Sequence, residues 1–327
     1  MKIAVVGYGS IGKRHVKNLL SIPNLEIIIL TKQKIRNPNK NRVKMVNSFF
    51  DCIKEKPDIS IIANESSFHV STAAKFAKEG VDLFVEKPLS NSLKGTNELI
   101  KLINNKKIIT QIGCQFRFHK CLLEIKKMIS IKKIGKIISV RSECGSFLPN
   151  WHPNEDYSKS YASREDLGGG VVLTNIHEID YLYWFFGDVE EVFSVTEKCS
   201  NLKISSDDLS ATILKFKNNI IAELHLDYFQ KPDFRSFKII GTKGTIYWDS
   251  ETNIVSLFDY KKNKWIKVLK WSDYDRNLMF KQELEHFLKC VKKRQLTINP
   301  IEEDGIKTLK IALAIIKSSK SRKMISL

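Results

Sequence analysis

Glu86-Lys87-Pro88 ends an apolar run at residues 82–85 that reads as a buried strand. In an open parallel sheet, ligands bind beyond the carboxyl ends of the strands. A lysine held there by a following proline presents its ammonium to whatever the sheet binds. A second group stands in Gly168-Gly-Gly-Val-Val-Leu-Thr-Asn-Ile-His177-Glu-Ile-Asp180. Thr174, His177 and Asp180 recur at i, i+3 and i+6, so they would share one face of an amphipathic helix ended by Gly187. Asp180 would orient the imidazole, whose ordinary pKa of ~6.5 suits it to move a hydroxyl proton near neutral pH. Taken alone, a helix histidine is more often structural, and the catalytic reading of His177 depends on the company of a cofactor domain.

That domain is announced by the opening segment, where Gly7-Tyr-Gly9-Ser10-Ile11-Gly12 follows a strand at residues 2–6 and opens a helix at residues 10–20. Gly7 permits the tight turn, Gly9 lets the backbone approach a pyrophosphate, and Gly12 allows close helix–strand packing. The free amides at the helix start, Ser10 and Ile11 among them, would bind the anion. An NAD enzyme carries a carboxylate about 20 residues further on, at the end of the second strand. Here that strand ends Leu30-Thr31-Lys32-Gln33-Lys34, with Arg36 beyond. Thr31, Lys32 and Arg36 could hold a 2′-phosphate, so NADP is preferred, with NAD as the alternative. Asn64 and His69, after the fourth strand, would line the nicotinamide beside Glu86 and Lys87, although His69 serves equally well as a packing residue.

Alternating strands and helices through residue 118 predict a doubly wound Rossmann sheet. Consecutive strands from 137 to 269 predict a C-terminal α+β domain, spanning 119–327, with a large, mostly antiparallel sheet. One face of that sheet would be covered by helices and the other left to solvent or another subunit. Apolar stripes at Phe280, Leu284, Phe287, Leu288 and Val291, and at Ile306, Leu309, Leu313 and Ile316, read as core. Before the triple glycine, the loop 147–167 carries Trp151, Tyr157 and Arg164. Aromatic faces stack on sugar C–H surfaces, and arginine forks onto phosphate or carboxylate. Arg117, at the domain junction, joins them, together with Thr174 and Asp180, as a candidate substrate contact. The alternative is a surface loop pinned by its own aromatics.

Composition narrows the classes. The 327 residues are 43% apolar, enough for two cores, and no run nears the roughly 18 apolar residues of a membrane helix. Six scattered cysteines form no CxxC pair, which argues for reduced cytoplasmic thiols and against a zinc site; no metal is expected. The net charge of +18 is spread through a Lys/Ile/Asn-rich chain, as on a solvated surface, and argues for no nucleic-acid partner.

These residues resemble the glucose–fructose oxidoreductase / inositol dehydrogenase (Gfo/Idh/MocA) family. The carriers are Val5–Gly12, 58–63 with His69, Gly80–Pro88, 168–180, 237–249 and 277–287. The resemblance implies an NAD(P)-dependent dehydrogenase or reductase acting on a sugar, cyclitol or sugar nucleotide. It implies that Lys87 polarises the reacting oxygen and that His177 gives or takes the proton. It also implies a homodimer or homotetramer formed through the open face of the second sheet. The stretch Trp151–Tyr157 resembles a branch in surface-polysaccharide and nonulosonate biosynthesis, which suggests a phosphorylated or nucleotide-linked sugar. Many relatives carry an aspartate three or four residues before the histidine, where this chain has Thr174 and Leu173. Either Asp180 compensates or the reaction differs from simple alcohol oxidation. Retained nicotinamide driving elimination or epimerisation, and a non-catalytic nucleotide-sensing regulator, are the alternatives.

Overall fold

The computed structural model describes all residues, 1–327. Its first compact unit comprises Met1–Cys114 and Asn277–Leu309. Strands β1 (Lys2–Val6), β2 (Glu26–Leu30), β3 (Val43–Val46), β4 (Ile59–Ile62), β5 (Asp82–Glu86) and β6 (Thr110–Gly113) form a wholly parallel sheet in the order 3-2-1-4-5-6. Helices α1 (Ser10–Leu20), α2 (Phe49–Lys54), α3 (His69–Lys78) and α4 (Thr96–Lys106) supply the crossovers. β4 and β5 are buried end to end, which is why Ile61–Ile62 and Leu83–Val85 read as unbroken apolar runs rather than alternating ones. Ser48 accepts the Asp51 amide at the start of α2, the capping contact their spacing predicts.

The second unit comprises Gln115–Arg276 and Lys310–Leu327. It contains α5 (Lys120–Ser130), β7 (Ile137–Gly145), α6 (Val171–Thr174), α7 (Ile176–Phe186), β8 (Val189–Glu197), β9 (Leu209–Phe216), β10 (Ile221–Asp227), β11 (Phe234–Gly241), β12 (Gly244–Asp249), β13 (Ile254–Asp259) and β14 (Lys264–Lys270). Two further helices follow, α8 (Arg276–Lys293) and α9 (Ile306–Ser321), before a short strand β15 (Ile325–Ser326) that sequence patterning misses. The nine strands run 14-13-12-11-7-10-9-8-15, with β7 and β10 parallel and the other pairs antiparallel. Residues alternate between a buried face and an open one along β9 and β10. The open face exposes Phe193, Val195, Ile213 and Ile221, with Phe193 opposite Ile213.

A single cut at residue 118 does not describe these units, because residues 277–309 belong to the first. The physical reason lies in α8. Its stripe of Leu284, Phe287, Leu288 and Val291 enters the core cluster that holds Ile3, Val5, Ile29 and Phe84 of the parallel sheet. Phe287 meets Phe84 edge to face at 5.5 Å, and Arg14 of α1 lies 4.5 Å over the Phe280 ring. Periodicity identifies such a stripe as buried but does not say against which sheet. All six cysteines are free thiols, five of them buried. No helix is long and apolar enough to cross a membrane.

Candidate functional site

In the first unit the glycine loop is shaped by contacts that exclude side chains. Gly7 has φ +89°, and a Cβ there would lie 2.7 Å from the Ala63 carbonyl oxygen. A Cβ at Gly12 would collide with the Gly7 carbonyl, so helix and strand approach closely only without one. Gly9 is different: its Cβ direction is open space. Gly9 also precedes α1, which has neither a side-chain cap nor an acid in its first turn. The early amides of α1 therefore suit an anion. Thr31 follows the carboxyl end of β2, where Lys32 and Arg36 are exposed and no carboxylate stands. No cluster of metal-ligating side chains is present. The residues present would fit a nicotinamide dinucleotide, whose diphosphate the glycine loop and the α1 amides would hold.

Glu86 and His69 serve the frame around Lys87. Oε1 of buried Glu86 lies 2.6 Å from Nε2 of buried His15 on α1, while Oε2 accepts the Lys87 amide at 3.3 Å. A Cβ at Gly113 would come 3.1 Å from this carboxylate, so the missing side chain makes room for it. Both Glu86 oxygens are thus occupied within the protein, tying the glycine-loop helix to the strand that carries Lys87. His69 is buried, with Nδ1 2.8 Å from the Pro88 carbonyl and Nε2 2.9 Å from the Asn64 carbonyl. Burial pushes its pKa below the ordinary imidazole value, although both carbonyls pull the other way. His69 pins the β4 and β5 loops together, the packing alternative its sequence allows. Lys87 itself is half-buried, and its peptide bond to Pro88 is cis. Asn64 is half-buried and donates to the Thr72 hydroxyl at 3.3 Å.

In the second unit, the expected single helix from the triple glycine to Gly187 is broken at Asn175 into α6 and α7. Thr174 lies on α6 and is buried, so it does not continue the helical face of His177 and Asp180. Nor is α7 amphipathic, since nine of its eleven residues are buried. Two of the three glycines answer to close packing. A Cβ at Gly169 would meet the carbonyls of Tyr161 and Ala162, and one at Gly170 would meet the Asp207 carboxylate. Asp207 accepts the Val171 amide at 2.8 Å, and burial pushes its pKa up to about 6.

His177 and Asp180 are gripped by three consecutive residues of the turn Gln115–Phe118. Gln115 Nε2 lies 3.3 Å from His177 Nε2, and the Phe116 ring lies 5.0 Å from the imidazole. Arg117 donates from Nε at 2.9 Å and Nη2 at 2.8 Å to the two oxygens of Asp180. Arg235 stacks 4.2 Å over Phe116 and pairs with Glu178, the neighbour of His177. Arg117 and Asp180, expected as substrate contacts, are each about 1% exposed and engage each other, so their role is to anchor α7. Spacing along one helix pointed to Asp180 as the partner that orients His177. The sequence reading missed Gln115, whose only available signal was its position just after β6.

The aromatic loop is pinned as its alternative reading expects. Trp151 Nε1 donates to the Ser146 hydroxyl at 2.8 Å, and its ring meets Tyr228 edge on. The Tyr157 hydroxyl accepts the Lys203 amide at 3.1 Å. Exposed Arg164 forks onto Asp166. Their polar atoms are used locally, and Trp151 and Tyr157 remain half-buried.

A doubly wound sheet with this glycine loop, followed by an open-faced antiparallel sheet, defines a dinucleotide-binding oxidoreductase scaffold. Residues 1–114 match the model of an oxidoreductase family with an NAD-binding Rossmann fold, and residues 122–247 match the GFO/IDH/MocA C-terminal domain. The chain belongs to the Gfo/Idh/MocA family of oxidoreductases. It is 24% identical to an inositol 2-dehydrogenase/D-chiro-inositol 3-dehydrogenase of Halalkalibacterium halodurans, over 98% of this chain and 92% of that one. It is 26% identical to a 2,7-anhydro-N-acetylneuraminate hydratase of Mediterraneibacter gnavus, over 62% of this chain and 55% of that one. The crystal structure of myo-inositol 2-dehydrogenase from Lactobacillus plantarum superposes with a TM-score of 0.81 at 23% identity, covering 100% and 99% of the two chains.

Proposed function

We propose that this oxidoreductase transfers a hydride between a nicotinamide cofactor and a carbon of a sugar, sugar phosphate, nucleotide sugar or cyclitol. The reading is carried by one observation: Lys87 follows the carboxyl end of β5 in the same sheet whose β1 end bears the glycine loop, the edge where such sheets bind ligands. Bound nicotinamide would supply the hydride acceptor or donor. His177 exchanges the hydroxyl proton, and Lys87 stabilises the negative charge that develops on oxygen. NADP is the preferred cofactor, because exposed Lys32 and Arg36 stand where an NAD enzyme carries a carboxylate.

The polyol or sugar class is supported by relatives named for inositols and for an anhydro sugar. The hydratase relative favours a second reading, in which the cofactor stays bound and transient oxidation drives elimination. The first unit would hold the nucleotide and the second the substrate. The apolar open face around Phe193 and Ile213 would meet another copy of the chain. Six free thiols fit a reducing, cytoplasmic setting.

A thermal-shift comparison of NAD and NADP tests the cofactor assignment, since a ligand at a hundred times its Kd stabilises by about 2.7 kcal/mol. A larger shift with NADP is expected, and a larger shift with NAD would reverse the reading of Lys32 and Arg36. Incubation with sugar phosphates, nucleotide sugars and cyclitols then separates the two reactions. Net change in nicotinamide absorbance indicates oxidation or reduction, whereas product formation without it indicates elimination.

A further inference from the structure

We propose that Arg14 is a cofactor-binding residue whose guanidinium grips the diphosphate of the nicotinamide dinucleotide alongside the backbone amides that open α1. This role rests on the glycine loop being the dinucleotide site, and it adds a side chain that the glycine spacing does not reveal. Arg14 is half-buried, yet it pairs with no carboxylate and gives its N–H groups to no acceptor of the protein. The one charge interaction it makes is with a ring: its guanidinium lies 4.5 Å over Phe280, near the start of α8. An aromatic face holds a guanidinium in place while leaving its N–H donors unused. One turn further along α1, Asn18 and Asn277 exchange side-chain hydrogen bonds at 3.3 and 3.0 Å, which clamps α1 to α8 and keeps the ring in position.

Position on the helix says where those donors go. Helical side chains lean toward the N-terminus and cover the turn before their own. Ser10 and Ile11 stand four and three residues before Arg14, on the same face. Their amides are among those left free at the uncapped start of α1. Arg14 is therefore one turn, about 5.4 Å along the axis, from the anion site those amides form. The charge pattern points the same way. α1 carries Lys13, Arg14 and Lys17 and no carboxylate, so two cations stand in its first half, where the helix dipole favours anions. A bound diphosphate offsets that repulsion and offers oxygens to the guanidinium fork. Lys13 is exposed, with its ammonium 5.9 Å from the Tyr8 ring, and must give up more side-chain freedom to hold an anion.

The test is titration calorimetry of the full-length protein with NAD, NADP and ADP-ribose, for wild type, Arg14→Met, Arg14→Lys and Lys13→Met. Methionine keeps an apolar stem against Phe280, and Arg14 has no ion pair to lose. The ligand-free Arg14→Met protein should therefore melt at or above the wild-type temperature. Its Kd should rise about tenfold or more for all three ligands, since each carries the diphosphate. Arg14→Lys should recover part of that loss, and Lys13→Met should cost clearly less than Arg14→Met. Unchanged affinity in Arg14→Met would overturn the proposal. So would a loss confined to NADP, which would place Arg14 at the 2′-phosphate, or an equal loss in Lys13→Met, which would mean only the general field of the helix cations. A wild type that binds none of the three ligands would overturn the dinucleotide reading itself, and the role of Arg14 with it.

Discussion

Arg117 and Asp180 form a two-bonded ion pair, 2.9 and 2.8 Å, buried within the second unit. The pair joins the turn Gln115–Phe118 to the helix that bears His177, three residues before Asp180. Removing one partner strands a buried charge, a loss of roughly 3–5 kcal/mol, whereas replacing both with apolar groups of similar volume is often neutral. Asp180→Leu should lower stability by that amount in denaturant unfolding, and Arg117→Met combined with Asp180→Leu should recover much of it. Additive losses in the double variant would show that the pair does not act as a unit.

Gly9 and Gly12 should separate nucleotide binding from folding. A Cβ at Gly12 collides with the Gly7 carbonyl, while one at Gly9 meets nothing within 4 Å. Gly12→Ala is expected to destabilise the fold by about 1–3 kcal/mol, through the close approach it forbids. Gly9→Ala should unfold at the wild-type temperature yet bind NADP(H) about tenfold or more weakly, because its methyl group projects where the diphosphate must approach the backbone. Titration calorimetry alongside thermal unfolding distinguishes the two, and equal affinity for Gly9→Ala and wild type would remove the diphosphate from this loop.

Asp207 makes stability depend on pH with a defined sign. Burial raises its carboxyl from the ordinary 3.8 to about 6, so the folded chain binds this proton more tightly than the unfolded chain does. The resulting penalty is full above about pH 6 and is relieved as pH falls toward 4, within a limit of roughly 1–3 kcal/mol. Asp207→Asn imitates the protonated form and keeps an acceptor for the Val171 amide. Its melting temperature relative to wild type should therefore be higher near pH 7.5 than near pH 4.5. A difference independent of pH would mean that Asp207 is not titrating in this window.

Nearly every strand of both sheets was legible, because buried parallel strands and half-exposed antiparallel ones leave different patterns. Ile59–Ile62 is apolar or small throughout and wholly buried, whereas Ile221–Asp227 buries Ala222, Leu224 and Leu226 and turns Glu223 and His225 outward. Two things were not legible. Which sheet receives α8 depends on long-range packing of Phe287 against Phe84, and an apolar stripe does not name its partner. Side-chain pairing was equally hidden: Arg117 and Asp180 were read as substrate contacts because both types bind ligands, yet they satisfy each other. Likewise Glu86 faces His15 across 71 residues of sequence, and the His177 neighbour Gln115 lies 62 residues away from it. Helical spacing sees only neighbours on one element, so it offered Asp180 as the partner of His177 and could not see Gln115.

The most direct test of the proposed chemistry is steady-state turnover of Lys87→Ala and His177→Ala on whichever sugar or polyol the wild type accepts, with cofactor affinity measured in parallel. Each variant should lose at least about a hundredfold in kcat, because the oxyanion stabiliser or the proton acceptor is gone, while its Kd for nicotinamide nucleotide stays near the wild-type value. Wild-type turnover in both variants would contradict the assignment of these two side chains to the reaction.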